Sequence, residues 1–270
     1  MTDHEACSQI GIVHRVIPAD DNIYTTPVIG KPATNTDGRI KLFADQKGGI
    51  VWNWSKAEKL IFFYDDTPAK LTTAEKEERA ARLAAVEKQI ESGRAKCRAE
   101  SKRDWERFTL PPEDHPYLVA KGIPALGLRW MESGNKLIVP VIDMAGTLHG
   151  WQSIGPAGEK RFKTNTVKSG HFHWIKGIAG NSKVIICEGL ATGSSLHLAT
   201  GAAVLVAFDC GNLFSVSMAA RERWQEKQII LAADNDLRGE INIGVLKATD
   251  AARKIGAALA IPVLKGECHE

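Results

Sequence analysis

No two of the five cysteines, Cys7, Cys97, Cys187, Cys210 and Cys268, stand as a C-x-x-C pair, and their spacing follows no period. That removes the usual signatures of a zinc ribbon and of a disulfide framework, so reduced thiols and a cytoplasmic setting are expected. His4, Cys7 and His14 lie near one another along the chain but lack the second close pair that a zinc site requires, and no zinc is expected. Also missing is any apolar run near the ~20 residues of a membrane span. Met1-Thr-Asp-His-Glu5 has neither the basic flank nor the apolar stretch of a signal peptide, so no membrane association is expected. An excess of one charge is absent too: a formal net charge of +3 over 270 residues does not by itself identify a polyanionic partner, and local clusters must decide.

What is present is an ordinary globular balance, 44% hydrophobic and 25% charged, with enough length for one large or two modest domains. Residues 1–71 mix Gly, Pro and Asp-Gly turn signals with short runs such as Arg39-Ile-Lys-Leu-Phe43 and Gly49-Ile-Val-Trp-Asn53, which predict a β-rich segment. Its aromatics, Trp52, Trp54, Phe62 and Phe63, suit either a hairpin core or base stacking. Residues 72–108 turn to Ala, Glu, Lys and Arg without proline, opened by Thr72 and Glu75 as a capping box. One long charged helix, or two broken near Gly93, is predicted there, ended by Pro111-Pro112.

In 109–180, a short helix over His115-Pro-Tyr-Leu-Val-Ala-Lys121 precedes strands at Lys136-Leu-Ile-Val-Pro-Val-Ile142 and Thr147-Leu-His-Gly-Trp-Gln152, joined by a turn at Asp143 to Gly146. From 181 to 270 the pattern becomes α/β. Continuous apolar runs at Val184-Ile-Ile-Cys187, Ala203-Val-Leu-Val-Ala207 and Gln228-Ile-Ile-Leu-Ala232 alternate with helices near 192–199, 213–226 and 241–255, and a last strand is placed near 257–261. Such strands predict a parallel sheet flanked by helices.

Ligands of open parallel sheets sit beyond the carboxyl ends of the strands, and here two strands end in acid: Glu188, followed by Gly189, and Asp234 with Asp236. Alternate residues of an extended segment point the same way, so Asp234 and Asp236 share a side while Asn235 turns elsewhere. Crowded carboxylates repel one another unless a cation joins them, and Mg²⁺ prefers a few carboxylates together with phosphate oxygens. An EF-hand is rejected for Asp234-Asn-Asp-Leu-Arg-Gly239, because Arg238 occupies a ligand position and Val245 stands where the bidentate Glu belongs.

The stretch from Val184 to Pro262 resembles the Toprim domain shared by bacterial primases, topoisomerases and some nucleases, through Glu188-Gly189, Asp234-x-Asp236 and Asn242-x-Gly244-x-x-Lys247-Ala248. Within that family, Glu188-Gly-Leu-Ala-Thr-Gly-Ser-Ser-Leu196, Ala207-Phe-Asp-Cys-Gly-Asn-Leu213 and Ala232-Ala-Asp-Asn-Asp236 look most like the primases of phages and conjugative plasmids. Upstream, Tyr117-Leu-Val-Ala-Lys-Gly122, the hairpin Leu137 to Gln152 and Gly158-Glu-Lys-Arg-Phe-Lys-Thr-Asn165 are similar to the small α+β subdomain that precedes Toprim in the primase core.

The resemblance implies a DNA primase-like nucleotidyltransferase that makes RNA primers on single-stranded DNA from ribonucleoside triphosphates. Mg²⁺, for which Mn²⁺ can substitute, would be its cofactor, with a separately encoded helicase as a partner. Asp234 and Asp236 would bind the metal, and Glu188 would coordinate it or shuttle a proton. Lys160, Arg161, Lys163, Gln152, Asp209, Asn212 and Lys247 would contact nucleotide or nucleic acid, Gln152 standing where family primases place an arginine. Lys160, Arg161, Lys163, Lys168 and Lys176 also lie among Phe162, His171, Phe172, His173 and Trp174, a mixture suited to phosphates and bases. The family's zinc ribbon has no counterpart in this sequence. A topoisomerase would need a tyrosine nucleophile on a further domain, whereas Tyr24, Tyr64 and Tyr117 all precede the acids. A Toprim nuclease and a non-catalytic nucleic-acid-binding accessory protein remain the alternatives.

Overall fold

The computed structural model describes residues 1–56, 58–64, 73–235 and 242–262, without the side chains at 73–75, 78 and 79. The Thr72/Glu75 capping box, Asp236 and the Leu237–Gly239 part of the rejected EF-hand lie outside the described residues. The chain forms two compact units, Met1–Ala84 and Ala85–Glu270.

In the first unit, Thr2 caps a helix α1, Asp3–Gln9. Its hydroxyl accepts from the Glu5 N–H at 3.1 Å, and the Glu5 carboxylate accepts from the Thr2 N–H at 2.8 Å, so two otherwise orphaned donors are satisfied reciprocally. The reading of this region as β-rich did not include that helix. β1 (Tyr24–Thr26), β2 (Gly38–Leu42), β3 (Gly48–Asn53) and β4 (Glu58–Phe63) follow as an antiparallel sheet in that order. Trp52 and Phe62 are buried and Phe63 is half-buried, whereas Trp54 is exposed with the Arg39 guanidinium 4.2 Å above its ring. The aromatics of this segment therefore serve mainly as core.

The boundary between units falls within α2, Thr73–Arg107, which runs unbroken through Gly93. A side chain at 93 would meet the Asn165 amide at 3.0 Å, so the glycine admits a neighbour instead of breaking the helix.

In the second unit, α3 (Pro116–Lys121) starts at His115 and ends at Gly122 in the left-handed region, φ 61°. The two His115 nitrogens divide their work. Nε2 lies 3.1 Å from the Asn135 carbonyl, and Nδ1 accepts the Tyr117 N–H at 3.3 Å. β5 (Arg129–Met131), β6 (Lys136–Ile142), β7 (Leu148–Ile154) and β8 (Lys160–Phe162) form a second antiparallel sheet in that order. Its β6–β7 hairpin pairs Leu137 with Ile154 and Val139 with Gln152, as the turn signal at 143–146 predicts.

The third sheet contains β9 (His173–Ile175), β10 (Lys183–Cys187), β11 (Ala203–Val206), β12 (Gln228–Ala232) and β13 (Ala258–Ala260), in the order β13-β12-β10-β11-β9. Helices α4 (Leu190–Thr200), α5 (Leu213–Arg223) and α6 (Ile243–Ile255) connect the strands from β10 onward. Those four strands are parallel, as expected, while β9 joins the edge antiparallel to β11. Alternation along β10 divides the core: Val184 and Ile186 pack with Leu213, Val216 and Ala248 of α5 and α6, and Ile185 and Cys187 pack with Val204, Val206 and Leu196 on the α4 side. Ile142 and Phe172 bridge the second and third sheets through paired N–H···O bonds of 2.9 and 3.0 Å. Among the described residues, no helix is long and apolar enough to cross a membrane.

Candidate functional site

β10 pairs in parallel with β11 on one side and β12 on the other, Cys187 lying opposite Val206 and Ala232. The residues just past these three strands therefore leave one edge of the sheet together. They are Glu188, Asp209 and Asp234, at the crevice where the chain steps from β11 back across β10 to β12.

Glu188 is half-buried, and its Oε1 is buried with no hydrogen-bond partner. Burial first, then the charges of Asp234 and Asp209, push its carboxyl up to about 7, against the opposing pull of the Cys210 backbone N–H. Helix α6 begins beside it, capped by Asn242, whose Oδ1 accepts the Val245 N–H at 3.1 Å. A Cβ on Gly244 would stand 3.1 Å from Glu188 Oε1 and 2.9 Å from the Asp234 carbonyl oxygen. The first turn of α6 thus fits against the acids only because position 244 has no side chain. Gly244→Ala should displace α6 or the Glu188 carboxylate, with at least ~10-fold loss of activity while the fold persists; steady-state kinetics beside circular dichroism would check it.

Phe208 precedes Asp209 with φ 72°, a conformation that costs a bulky residue on the order of 1 kcal/mol or more. Its ring lies edge-on to Phe162 at 5.4 Å and packs toward the apolar cluster of Leu118, Leu137, Val139, Ile154 and Leu190. This packing holds the strained turn that presents Asp209. Asn235 ties the end of β12 to the start of α6 and to residue 262. Its amide donates to the Pro262 carbonyl at 2.9 Å, and its Oδ1 accepts from Asn242 at 2.8 Å.

The predicted basic and polar contacts separate into distinct environments. Lys160 on β8 is exposed overall, yet desolvation of its ammonium and the nearby Lys121 lower its pKa while Asp234 raises it. Lys168, part of the basic and aromatic segment, is ion-paired with Asp209 and lies over the Phe162 ring at 5.9 Å. Lys247 is exposed on α6 with its charge felt at Cys210, and Arg161 is exposed on β8. Lys163 instead pairs with Glu100 at 3.3 Å and Asp104 at 3.1 Å on α2, and Gln152 is buried in β7. Asn212 is buried with its side chain fully engaged. Nδ2 donates to the carbonyls of Lys168, His171 and Ala207, each at 2.9 Å, while Oδ1 accepts the Gly170 N–H at 2.8 Å. The Phe162–Phe208 contact and the pairing of Lys168 with Asp209 join residues far apart along the chain, so no local spacing signals either.

An unpartnered buried carboxylate oxygen between two further acids is a donor set suited to a hard divalent cation such as Mg²⁺. Among the described residues these acids do not gather as tightly as Asp143, His149 and His171, whose ligand atoms all lie within 4.8 Å of one another.

Residues 183–267 match the Toprim domain family, and the chain carries a Toprim domain there. Over more of its length the chain is similar to DNA primase TraC of Escherichia coli. It is 32% identical to one such protein over 251 residues, covering 90% of this chain and 16% of that protein. To a second it is 31% identical over 194 residues, covering 69% and 18% respectively. The chain thus spans under a fifth of the length of these curated relatives. Among solved structures, the primase fragment of the bacteriophage T7 primase-helicase protein overlaps 58% of this chain and 71% of that one, with a TM-score of 0.40 and 14% identity.

Proposed function

We propose that this chain is a Mg²⁺-dependent nucleotidyltransferase of the DNA primase type, joining ribonucleoside triphosphates into short primers on single-stranded DNA in the cytoplasm of a cell carrying a phage or conjugative plasmid. A helicase is the protein partner that such a reaction calls for. The observation that carries the reading is the Glu188 carboxylate, partly buried at the sheet edge beside Asp209 and Asp234 with its Oε1 unpartnered. Similarity to TraC across 90% of the chain supports it, because that span includes the hairpin segment as well as the Toprim domain.

Glu188 and Asp234, with Asp236, would hold Mg²⁺, which when bound neutralises charge on the transferring phosphoryl group and acidifies the attacking hydroxyl. Lys160 and Lys168 stand where they can attract triphosphate oxygens, and Lys168 would exchange Asp209 for phosphate as the nucleotide enters. In the reaction the primer 3′-oxygen forms a bond to the α-phosphorus as the bond to the bridging oxygen breaks, and pyrophosphate leaves. Mn²⁺ would support the same step.

The test offers the full chain single-stranded DNA, labelled ribonucleotides and Mg²⁺ or Mn²⁺, and in parallel labelled DNA and metal without nucleotides. Incorporation that Asp234→Asn lowers at least ~100-fold is expected. Metal-dependent cleavage without incorporation would replace this reading by a nuclease using the same carboxylates, and DNA binding with neither reaction would make the chain an accessory protein.

A further inference from the structure

A second group of metal-ligating side chains lies outside the acidic edge. Asp143 closes the β6–β7 turn, its Oδ1 accepting the N–H groups of Ala145 and Thr147, both at 2.9 Å. Its other oxygen, Oδ2, faces His149 Nε2 at 3.0 Å. The His149 ring rests against that of His171, with centroids 3.9 Å apart and planes inclined by 40°. His171 arrives from the loop before β9, which the Asn212 amide fixes through the His171 carbonyl. One ligand atom from each of the three side chains lies within 4.8 Å of the others, a convergence unique among the described residues.

His149 presents Nε2 to Asp143, and each ring has one nitrogen to spare. Nδ1 of His149 and Nδ1 of His171 are both buried without a hydrogen-bond partner. Two orphaned ring nitrogens side by side are each a cost of about 1–3 kcal/mol, and packing offers no relief. A cation held by one nitrogen of each ring gives those lone pairs an acceptor. Glu91 and Arg94 of α2 bring opposite charges to the same neighbourhood, near His149 and His171 respectively, and Glu91 is ion-paired with Arg98 at 2.8 Å as well as with Arg94 at 3.9 Å.

We propose that Asp143, His149 and His171 bind Zn²⁺ or a neighbouring first-row transition ion at a site separate from the Toprim acids, joining the β6–β7 turn to the loop that enters β9. Two imidazoles and one carboxylate suit such ions, whereas Mg²⁺ selects oxygen donors. Closing the ligand atoms onto an ion at about 2.0–2.2 Å needs small side-chain rotations, and one tetrahedral position remains for water. The loop so fastened carries Lys168, the partner of Asp209, so the ion would steady one wall of the acidic edge from behind. Binding of the ion does not rest on the reaction proposed above.

The full chain, stripped with EDTA and freed of chelator, is titrated with Zn²⁺ alone in competition with a chromophoric chelator. One equivalent should bind, and should still bind to the Glu188→Gln/Asp234→Asn protein. His171→Gln should weaken binding at least ~100-fold and Asp143→Asn at least ~10-fold. Co²⁺ alone should give the visible bands of a nitrogen-ligated ion in the wild type and not in His171→Gln. If circular dichroism shows His171→Gln unfolded, the Asp143→Asn protein, whose turn hydrogen bonds at Oδ1 survive, decides. Undiminished affinity there, loss of binding with the Glu188/Asp234 pair, or no binding at micromolar Zn²⁺ would overturn the site.

Discussion

Replacing Glu188 with Gln should lower metal-dependent nucleotide incorporation at least ~100-fold and yet make the metal-free protein more stable above neutral pH. The two effects share a cause. Native Glu188 is pushed up to about 7 from its ordinary 4.5 by burial and by Asp234 and Asp209. Between those values the folded chain keeps a proton that the unfolded chain has released, so this group's contribution to stability falls as pH rises from about 4.5 to about 7 and stays low above. Gln carries no charge and removes that slope, giving a gain on the order of 2 kcal/mol at alkaline pH and almost none below pH ~4.5. Urea unfolding in EDTA at about pH 5 and about pH 8 measures it. A variant no more stable than wild type at the higher pH would mean that neither burial nor the neighbouring acids penalise the Glu188 charge, and the case for a cation there would fail with it.

Asn212→Ala should be among the most damaging single changes in the second unit although Asn212 carries no charge. The amide makes four hydrogen bonds to two separate stretches of chain, residues 168–171 and residue 207. Alanine leaves the Gly170 N–H and the carbonyls of Lys168, His171 and Ala207 without that partner. A cost of about 3 kcal/mol follows, or a fall in Tm of roughly 6–12 °C for a unit of this size. The Lys168–Asp209 pair should loosen with the loop, raising the apparent KM for nucleotide. Calorimetry and steady-state kinetics on the same protein read both effects. A Tm within about 1 °C of wild type would show that the loop is held elsewhere.

The α/β pattern of the second unit is legible in the sequence because each central strand is a continuous apolar run, and such runs state their own boundaries. The acids are legible for a related reason: Glu188 and Asp234 sit just past those runs, so recognising the strands already brings them to one edge. α1 could have been read from Thr2 and Glu5, the same capping signal used for the next helix, but its short polar sequence is easily taken for loop. β9 has three residues and no strand-like run, and only its pairing with β11 makes it a strand. Lys163 reads as a phosphate contact until α2 brings Glu100 and Asp104 beside it, a long-range pairing that spacing does not encode. The same holds for Asp143, His149 and His171. Counting cysteines finds ribbons, but not a carboxylate and two imidazoles from a turn, a strand and a distant loop.

β9 also bears on where this molecule can be divided. The family match begins at residue 183, but the hydrogen-bonded ladder of its sheet already includes residues 173–175. A fragment trimmed to the match would leave the N–H and C=O groups of Val204 to Val206 on β11 bare along an apolar edge, an invitation to self-association. The smallest portable piece of this fold therefore has to carry the terminal strand lent to it from upstream, and with it the Phe172 link to the hairpin.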